Sequence, residues 1–436
     1  MDGNGVQKKT RIKGGLTLKT VVVLGVALLV SFLCFGVLAQ GVVSVYGPWS
    51  YGDNPALQEI FAEFEKQSGL KVKWEPATGD FPSHVTKITT LLGSGDDTYD
   101  AIWLDDQMTP NAVRAGWLEP MEGEYALPEG YFDDFPEGVV RDYSYYQGKV
   151  YRIPGTIEAM WMMYRKDIYE AAGLNVPTTW EEMVEIGQKL TRPEENKWAL
   201  IIAGQKGGFL SNELGLWMLQ GGGDYIDWSL PGSRVGLQFM YDLVYKHKVA
   251  PESSWSIDYN VAPELFKQGV GATWFTWQGF WAVFRSDTNF APDDATLRSK
   301  VGVAKTLKGP GRDGTISGTW GWTINKFARN KEGALKFILF ISSPESQKKL
   351  GLLEQRPVSR LSVMAMPELW EQNPAVELFT KYGDIVFARS LMNVLRTNEV
   401  MEVQENWAHR FFTGQVDIDT AITEGDKAMK AIYLGQ

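Results

Sequence analysis

Apolar residues recur along this chain in two rhythms, and the first hundred positions alternate between them. Val42-Val43-Ser44-Val45-Tyr46 has the character of a strand, and after Asn54-Pro55 the residues Leu57, Ile60, Phe61 and Phe64 fall at i, i+3, i+4 and i+7, the stripe of an amphipathic helix. Gly69 stops it. Leu70 to Trp74 predicts a second strand, Ser83 to Leu92 a second helix with Val85, Ile88, Leu91 and Leu92 on one face, and Asp100 to Leu104 a third strand. This alternation predicts an α/β unit whose parallel sheet is doubly wound, with helices on both faces. Ligands of such sheets collect beyond the C-terminal strand ends, which here carry Trp49 and Asp53 after the first strand and Asp105-Asp106 after the third. The ordinary role of two aspartates there is a turn or a helix cap.

Between Tyr146 and Leu174 the pattern changes three times. Gln147-Gly148 supplies a turn, Val150-Tyr151-Arg152-Ile153 alternates like a half-buried strand, and Pro154-Gly155 predicts an interruption. From Ile157 to Tyr164 the run is nearly all apolar with one carboxylate, Glu158, inside it, before a short helix that ends at Gly173. A carboxylate in such a run must meet a partner or face a wet cleft, because burying it unpaired costs several kcal/mol.

Alternation then resumes. Thr178-Thr179-Trp180-Glu181-Glu182 opens a helix by capping-box logic, with Trp180, Met183, Val184 and Gly187 on its core stripe. Leu214–Leu219 and Val235–Val244 predict further helices, and Pro263–Gly269 a short one running into a strand that ends at Trp277, with Trp281 one helical turn on. Val301–Thr306 and Ile316–Ile324 look like the two arms of a hairpin. The loop between them, Gly309-Pro310-Gly311-Arg312-Asp313-Gly314, matches G-x-G-x-x-G, but no helix follows it and Pro310 lacks an amide, so a phosphate cradle is a poor reading. Asn330–Ile341 predicts a helix, and from Pro374 onward the pattern is helical.

With 436 residues, 44% hydrophobic, the chain can bury large cores in two or three domains. Lys8, Lys9, Arg11, Lys13 and Lys19 precede an apolar run from Val21 to Leu38, the layout of a signal peptide over residues 1–39. Cleavage after Ala39 is expected; an uncleaved anchor is the alternative, since the run is about long enough to span a bilayer. Removing 1–39 takes five basic residues and one acidic residue from a formal net charge of −10, leaving −14. An acidic surface argues against nucleic acid or anionic lipid as a partner. Cys34 is the single cysteine, so the exported chain has no internal disulfide and relies on packing.

Catalytic and metal signatures are thin. His84, His247 and His409 have no i, i+4 partner, so no zinc site is expected, and no G-x-S-x-G elbow, P-loop or EF-hand loop occurs. No cofactor is expected. Seventeen tryptophans exceed what core packing ordinarily uses, and several stand near strand ends: Trp49, Trp103, Trp161, Trp277, Trp281, Trp320 and Trp322. Each is by itself most simply a core residue. A flat indole nevertheless suits the apolar C–H face of a sugar ring, whose hydroxyls then take charged hydrogen-bond partners.

The stretch Gly148-Lys149-Val150-Tyr151, Ile153-Pro154, Glu158, Tyr164-Arg165-Lys166-Asp167-Ile168, Ala172-Gly173-Leu174, Pro177 and Thr179-Trp180-Glu181-Glu182 closely resembles the interdomain segment of the bacterial extracellular solute-binding proteins of family 1, the substrate receptors of carbohydrate ABC importers. Its maltose and maltodextrin receptors are the most similar in the crossing, Pro154 to Ala159. The resemblance implies a two-lobed type II periplasmic-binding-protein fold, each lobe a doubly wound sheet, with three crossing segments at the hinge: residues 40–153 plus 323–355 in lobe 1, and 154–322 plus 356–436 in lobe 2. It implies a monomeric, extracytoplasmic, non-enzymatic receptor for a di- or oligosaccharide, with the membrane permease subunits of an importer as partner. The ligand-binding residues it implies, together with the strand-end pattern, are Trp49, Asp53, Asp105, Asp106, Glu158, Trp277, Trp281, Trp320, Trp322 and Arg356, of which Asp106 matches the sugar-binding Asp of the maltose receptors. Ala388-Arg389-Ser390 stands where those receptors carry a further stacking Trp, a departure that leaves room for another disaccharide or a monosaccharide. The rival readings are a secreted glycoside hydrolase using Asp106 and Glu158 and a receptor for a non-sugar solute.

Overall fold

The computed structural model describes residues 41–48, 55–79, 81–207, 209–354, 357–389, 394 and 396–434. The proposed signal segment, Trp49, Asp53 and Arg356 lie outside the described residues. The first strand, β1 (Val42–Gly47), is followed by α1 (Pro55–Ser68), β2 (Lys71–Pro76), α2 (Phe81–Gly93), β3 (Ala101–Asp105) and, after a loop, the short helix α3 (Glu137–Tyr143). β4 (Ile153–Arg165), α4 (Trp180–Leu190), β5 (Trp198–Ile201), α5 (Leu210–Gln220), α6 (Pro231–Tyr245) and β6 (Gly271–Trp277) continue the chain. Then come β7 (Val301–Ala304), β8 (Thr315–Asn325), α7 (Lys331–Ile341), α8 (Pro374–Tyr382), β9 (Val386–Ala388), α9 (Thr397–Phe412) and α10 (Ile418–Tyr433).

β2, β1 and β3 are parallel, as the alternation predicts, and helices cover both faces. The stripe Leu57, Ile60, Phe61 and Phe64 of α1 packs with Phe337 and Ile338 of α7 on one face, while Ile88 and Leu92 of α2 close the other. This is the first lobe. The second is built on β4, β6 and β5, with Trp180, Leu214, Trp217, Leu237, Met240 and Phe412 in one core. Thr179 caps α4 by accepting from the Glu182 amide at 3.2 Å, the start signal legible in the sequence.

What joins the lobes is continuous sheet. The strand order is β2-β1-β3-β8-β4-β6-β5, and the long strands β4 and β8 run antiparallel to each other from one lobe into the other. β4 does not pause at Pro154-Gly155. It passes straight through, and the register with β8 slips between Trp320 and Gly321, so that Trp320 faces Thr156 and Gly321 faces Pro154. A bulge accommodates a proline that has no N–H for the ladder. Gly155 is the residue passed over, and a Cβ there would run into the Trp103 ring. The third crossing lies alongside, where the Ile157 amide donates to Val358 O at 3.4 Å.

Two other expectations change. Val301–Ala304 and β8 do not form a hairpin: β7 pairs with Met162 to Arg165 of β4, whereas β8 pairs with Ile153 to Ala159 of the same strand. The long strand gives both a better partner than each other. Residues 358–379 also form a cluster of their own with Val139, Tyr143, Ile157, Ala159 and Trp161, against the crossing strands, while α9 and α10 pack on the second lobe.

Candidate functional site

Where β3 ends, β8 and β4 run side by side and β6 terminates, the two lobes enclose a cavity of about 60 Å³ lined by Asp105, Glu158, Trp277, Gly318, Thr319, Trp320 and Arg389. The sheet register assembles it. Asp105 is the last residue of β3 and pairs with Trp320 of β8; Glu158 of β4 stands opposite Gly318 of β8; Trp277 ends β6 opposite Met160. Gly318 lies in close contact with the site, since a Cβ at that position would lie 3.0 Å from Arg389 Nη2 and 3.3 Å from the Trp277 ring, so that one of these side chains would have to give by a few tenths of an ångström.

Trp277 and Trp320 are both half-buried. Trp320 lies parallel to Trp103, ring centroids 6.3 Å apart, with the His84 ring edge-on at 5.4 Å. Trp277 has the guanidinium of Arg389 over its ring at 5.3 Å and Phe209 at its edge. Glu158 is half-buried and accepts from the Gly279 amide at 3.3 Å. Thus the carboxylate within the apolar run faces the cleft. Asp105 accepts from the Gln107 amide at 2.9 Å, and burial, reinforced by the neighbouring Asp106, pushes its carboxyl up to about 7 against the opposing charges of Arg389 and Arg152.

Asp106 does not line this cavity. It is wholly buried, its Oδ2 accepts from Arg389 Nε at 3.1 Å, its Oδ1 from Arg389 Nη2, and Oδ1 also from the Thr319 amide at 3.1 Å. Its own amide donates to Thr319 O at 3.0 Å. The side chain therefore extends the β3–β8 ladder and anchors Arg389. With Asp106 so enclosed, glycoside hydrolysis by Asp106 and Glu158 has no second working carboxyl. Trp281 and Trp322 are also core residues: Trp281 donates from Nε1 to Gln372 O at 2.8 Å, and Trp322 packs at 4.7 Å on Trp103 and 5.7 Å on Phe337. Alternation does place Trp320 and Trp322 both against Trp103, but the two-residue step carries Trp322 into the core of the first lobe.

Two residues at this junction were not foreseen. Arg389, just beyond β9, bonds Asp106, donates from Nη1 to Asn212 Oδ1 at 2.9 Å, and from its amide to the Tyr143 hydroxyl at 2.7 Å. It links the end of β3 to the start of α5. Arg152, which the strand alternation places toward solvent, is instead completely buried. Two adjacent acids at a strand end do signal that cations must come from elsewhere, but nothing in the local pattern says which.

Chemically the cavity offers carboxylate acceptors, a guanidinium donor and two indole surfaces. That set suits a small polyhydroxylated molecule, whose hydroxyls both donate and accept.

A family model described as bacterial extracellular solute-binding protein matches residues 49–348. The chain is 28% identical over 336 residues to the mannitol-binding protein of Pseudomonas aeruginosa, covering 71% of each chain. It is 27% identical over 335 residues to a probable amino-acid ABC transporter periplasmic-binding protein of Sinorhizobium fredii, covering 73% of each. Among solved structures, maltose-bound MalE3 of T. maritima superposes with a TM-score of 0.74 at 26% identity, over 89% of this chain and 99% of that one.

Proposed function

The chain belongs to the bacterial extracellular solute-binding protein family, and on that footing we propose that it is the extracytoplasmic sugar or polyol receptor of an ABC importer. It binds its ligand between the lobes, closes on it, and presents the closed form to the permease subunits. The observation that carries this reading is the cavity at the lobe junction, where Glu158 and Asp105 face the indoles of Trp277 and Trp320 across the crossing strands. A polyol or sugar uses all of these at once, its hydroxyls on the carboxylates and its C–H surface on the rings. Similarity to a mannitol-binding protein and to a maltose-bound receptor supports the ligand class. Binding without conversion is its role, and it works as a monomer.

Hinge closure is part of this reading, and the crossing strands β4 and β8 that join the lobes support it. A ligand touching both lobes favours the closed arrangement by its differential affinity for it, and an importer reads the relative position of the lobe surfaces without contacting the ligand. The test is a thermal-melt screen of residues 40–436 against alditols, monosaccharides and disaccharides. A ligand at 100 times its dissociation constant adds about 2.7 kcal/mol of stability, so a true ligand raises the melting temperature and is recovered chemically unchanged. A shortened or otherwise altered sugar, or stabilisation by amino acids in place of sugars, would overturn the reading.

A further inference from the structure

The guanidinium of Arg389 forms part of the cavity wall, and both lobes hold it there. Its Nε and Nη2 donate to the two carboxylate oxygens of Asp106, and its Nη1 donates to Asn212 Oδ1 at 2.9 Å. The backbone amide of Arg389 is fixed as well, donating to the Tyr143 hydroxyl at 2.7 Å. Asp106 follows β3 of the first lobe, while Asn212 belongs to α5 of the second. Held in this way, the guanidinium carbon lies over the Trp277 ring, 5.3 Å from its centre. Nη2 stands close against β8, where a Cβ on Gly318 would come to 3.0 Å. Asp106 and Asn212 take three of the five N–H groups of the guanidinium, and two remain for the oxygens of a ligand.

We propose that Arg389 is a specificity-determining residue of the binding site: it limits the ligand to one short unit, an open-chain polyol or a single monosaccharide, and excludes disaccharides and longer chains. This rests on reading the cavity as a sugar or polyol site, and narrows it. Space is the first ground. The cavity between the lobes holds about 60 Å³, far below the ~300 Å³ at which pockets for drug-sized ligands begin. The second ground is what enlarging it would cost. A further ring packed on this face of Trp277 would have to take the place of the guanidinium. Moving that group takes apart an ion pair from which solvent is excluded, leaves the Asp106 carboxylate buried with the Thr319 amide as its remaining donor, and breaks the bond to Asn212. Chemical match is the third ground. Asp105 and Glu158 supply acceptors and Arg389 supplies donors around one small space, with the Trp320 indole in the same wall. A chain with a hydroxyl on each carbon uses that polar wall along its length and sets its C–H edge against the indole.

The test is calorimetry on the purified full chain, with ribitol, D-mannitol and D-glucose as short probes and maltose and maltotriose as long ones. A short probe should bind, and both long probes should bind about tenfold more weakly than it or give no heat. The paired variant Asp106→Leu with Arg389→Met removes the guanidinium without stranding a charge, and should raise the affinity for maltose relative to the best short probe by about tenfold. Arg389→Lys keeps a cation for Asp106 but loses the planar fork. It should shift the same ratio in the same direction, by less, and it serves if the paired variant fails to fold. Maltose or maltotriose bound by the native chain as tightly as the best short probe would overturn the size limit and leave the sugar reading standing. A ratio unchanged in the variants would overturn the role of Arg389. Binding of amino acids in place of every polyol and sugar would instead overturn the sugar reading itself.

Discussion

Asp106 and Arg389, 283 residues apart in sequence, meet in a bidentate ion pair from which solvent is excluded. The pair fastens the end of β3 to the segment after β9, and through Asn212 to the start of α5. Removing one member leaves the other buried and unpaired, which costs about 3–5 kcal/mol. Asp106→Ala and Arg389→Met should each show a loss of that order in denaturant unfolding. The double variant Asp106→Leu with Arg389→Met should lose less than the two single losses added together. Additive losses would show that the two side chains act independently.

Glu158 occupies the opposite extreme, half-buried at the cavity with the Gly279 amide as a hydrogen-bond donor. Glu158→Gln should keep the melting temperature within about a degree or two while weakening sugar binding by about 2 kcal/mol, near 30-fold. A sharp drop in melting temperature with unchanged affinity per folded molecule would make Glu158 a structural residue.

Glu213 in α5 offers a pH signature away from the site. It is fully buried, with Trp217 Nε1 donating to it at 3.1 Å, and burial pushes its carboxyl up to about 8. Because the folded value lies above the unfolded one of about 4.3, its contribution to stability is complete below that pH and is lost as pH rises toward 8. Glu213→Gln should therefore be more stable than the native chain at pH 8, by on the order of 5 kcal/mol, with the difference vanishing near pH 4. Parallel pH profiles of unfolding free energy for the two proteins would contradict this.

Gly155 tests the bulge. Since a Cβ at this position meets the Trp103 ring, Gly155→Ala should destabilise by about 1–3 kcal/mol, and Gly155→Ala combined with Trp103→Leu should recover part of that loss. A fully tolerated Ala would mean that the strand shifts at no cost.

Closure can be followed on two signals. With a saturating ligand from the melt screen, the radius of gyration should shrink and tryptophan fluorescence should change along one binding curve, with Trp277→Phe reducing the optical change and leaving the contraction in place. An unchanged radius with a ligand shown to bind would point to a rigid binding mode.

Periodicity along the chain determined the alternating elements, the amphipathic stripes of α1, α2 and α4, and the doubly wound first lobe, because those depend on residues within a few positions of each other. It also determined that Glu158 had to be exceptional, since a charge in an apolar run is visible wherever the run folds. Tertiary structure decided the rest. Asp105 and Asp106 are adjacent and identical in type, yet one lines the cavity and the other is sealed in an ion pair, and the difference comes from Arg389, which arrives from the far end of the chain. Arg152 looked like the polar half of a strand, and what buries it is the crossing of β8 over the start of β4. Trp320 and Trp322 share a strand face by alternation, but the depth of the cleft separates a cavity wall from a core residue. Local pattern sets which side of an element a residue takes. What that side meets is set by partners hundreds of residues away, where burial and charge decide whether a side chain holds the fold together or is left for the ligand.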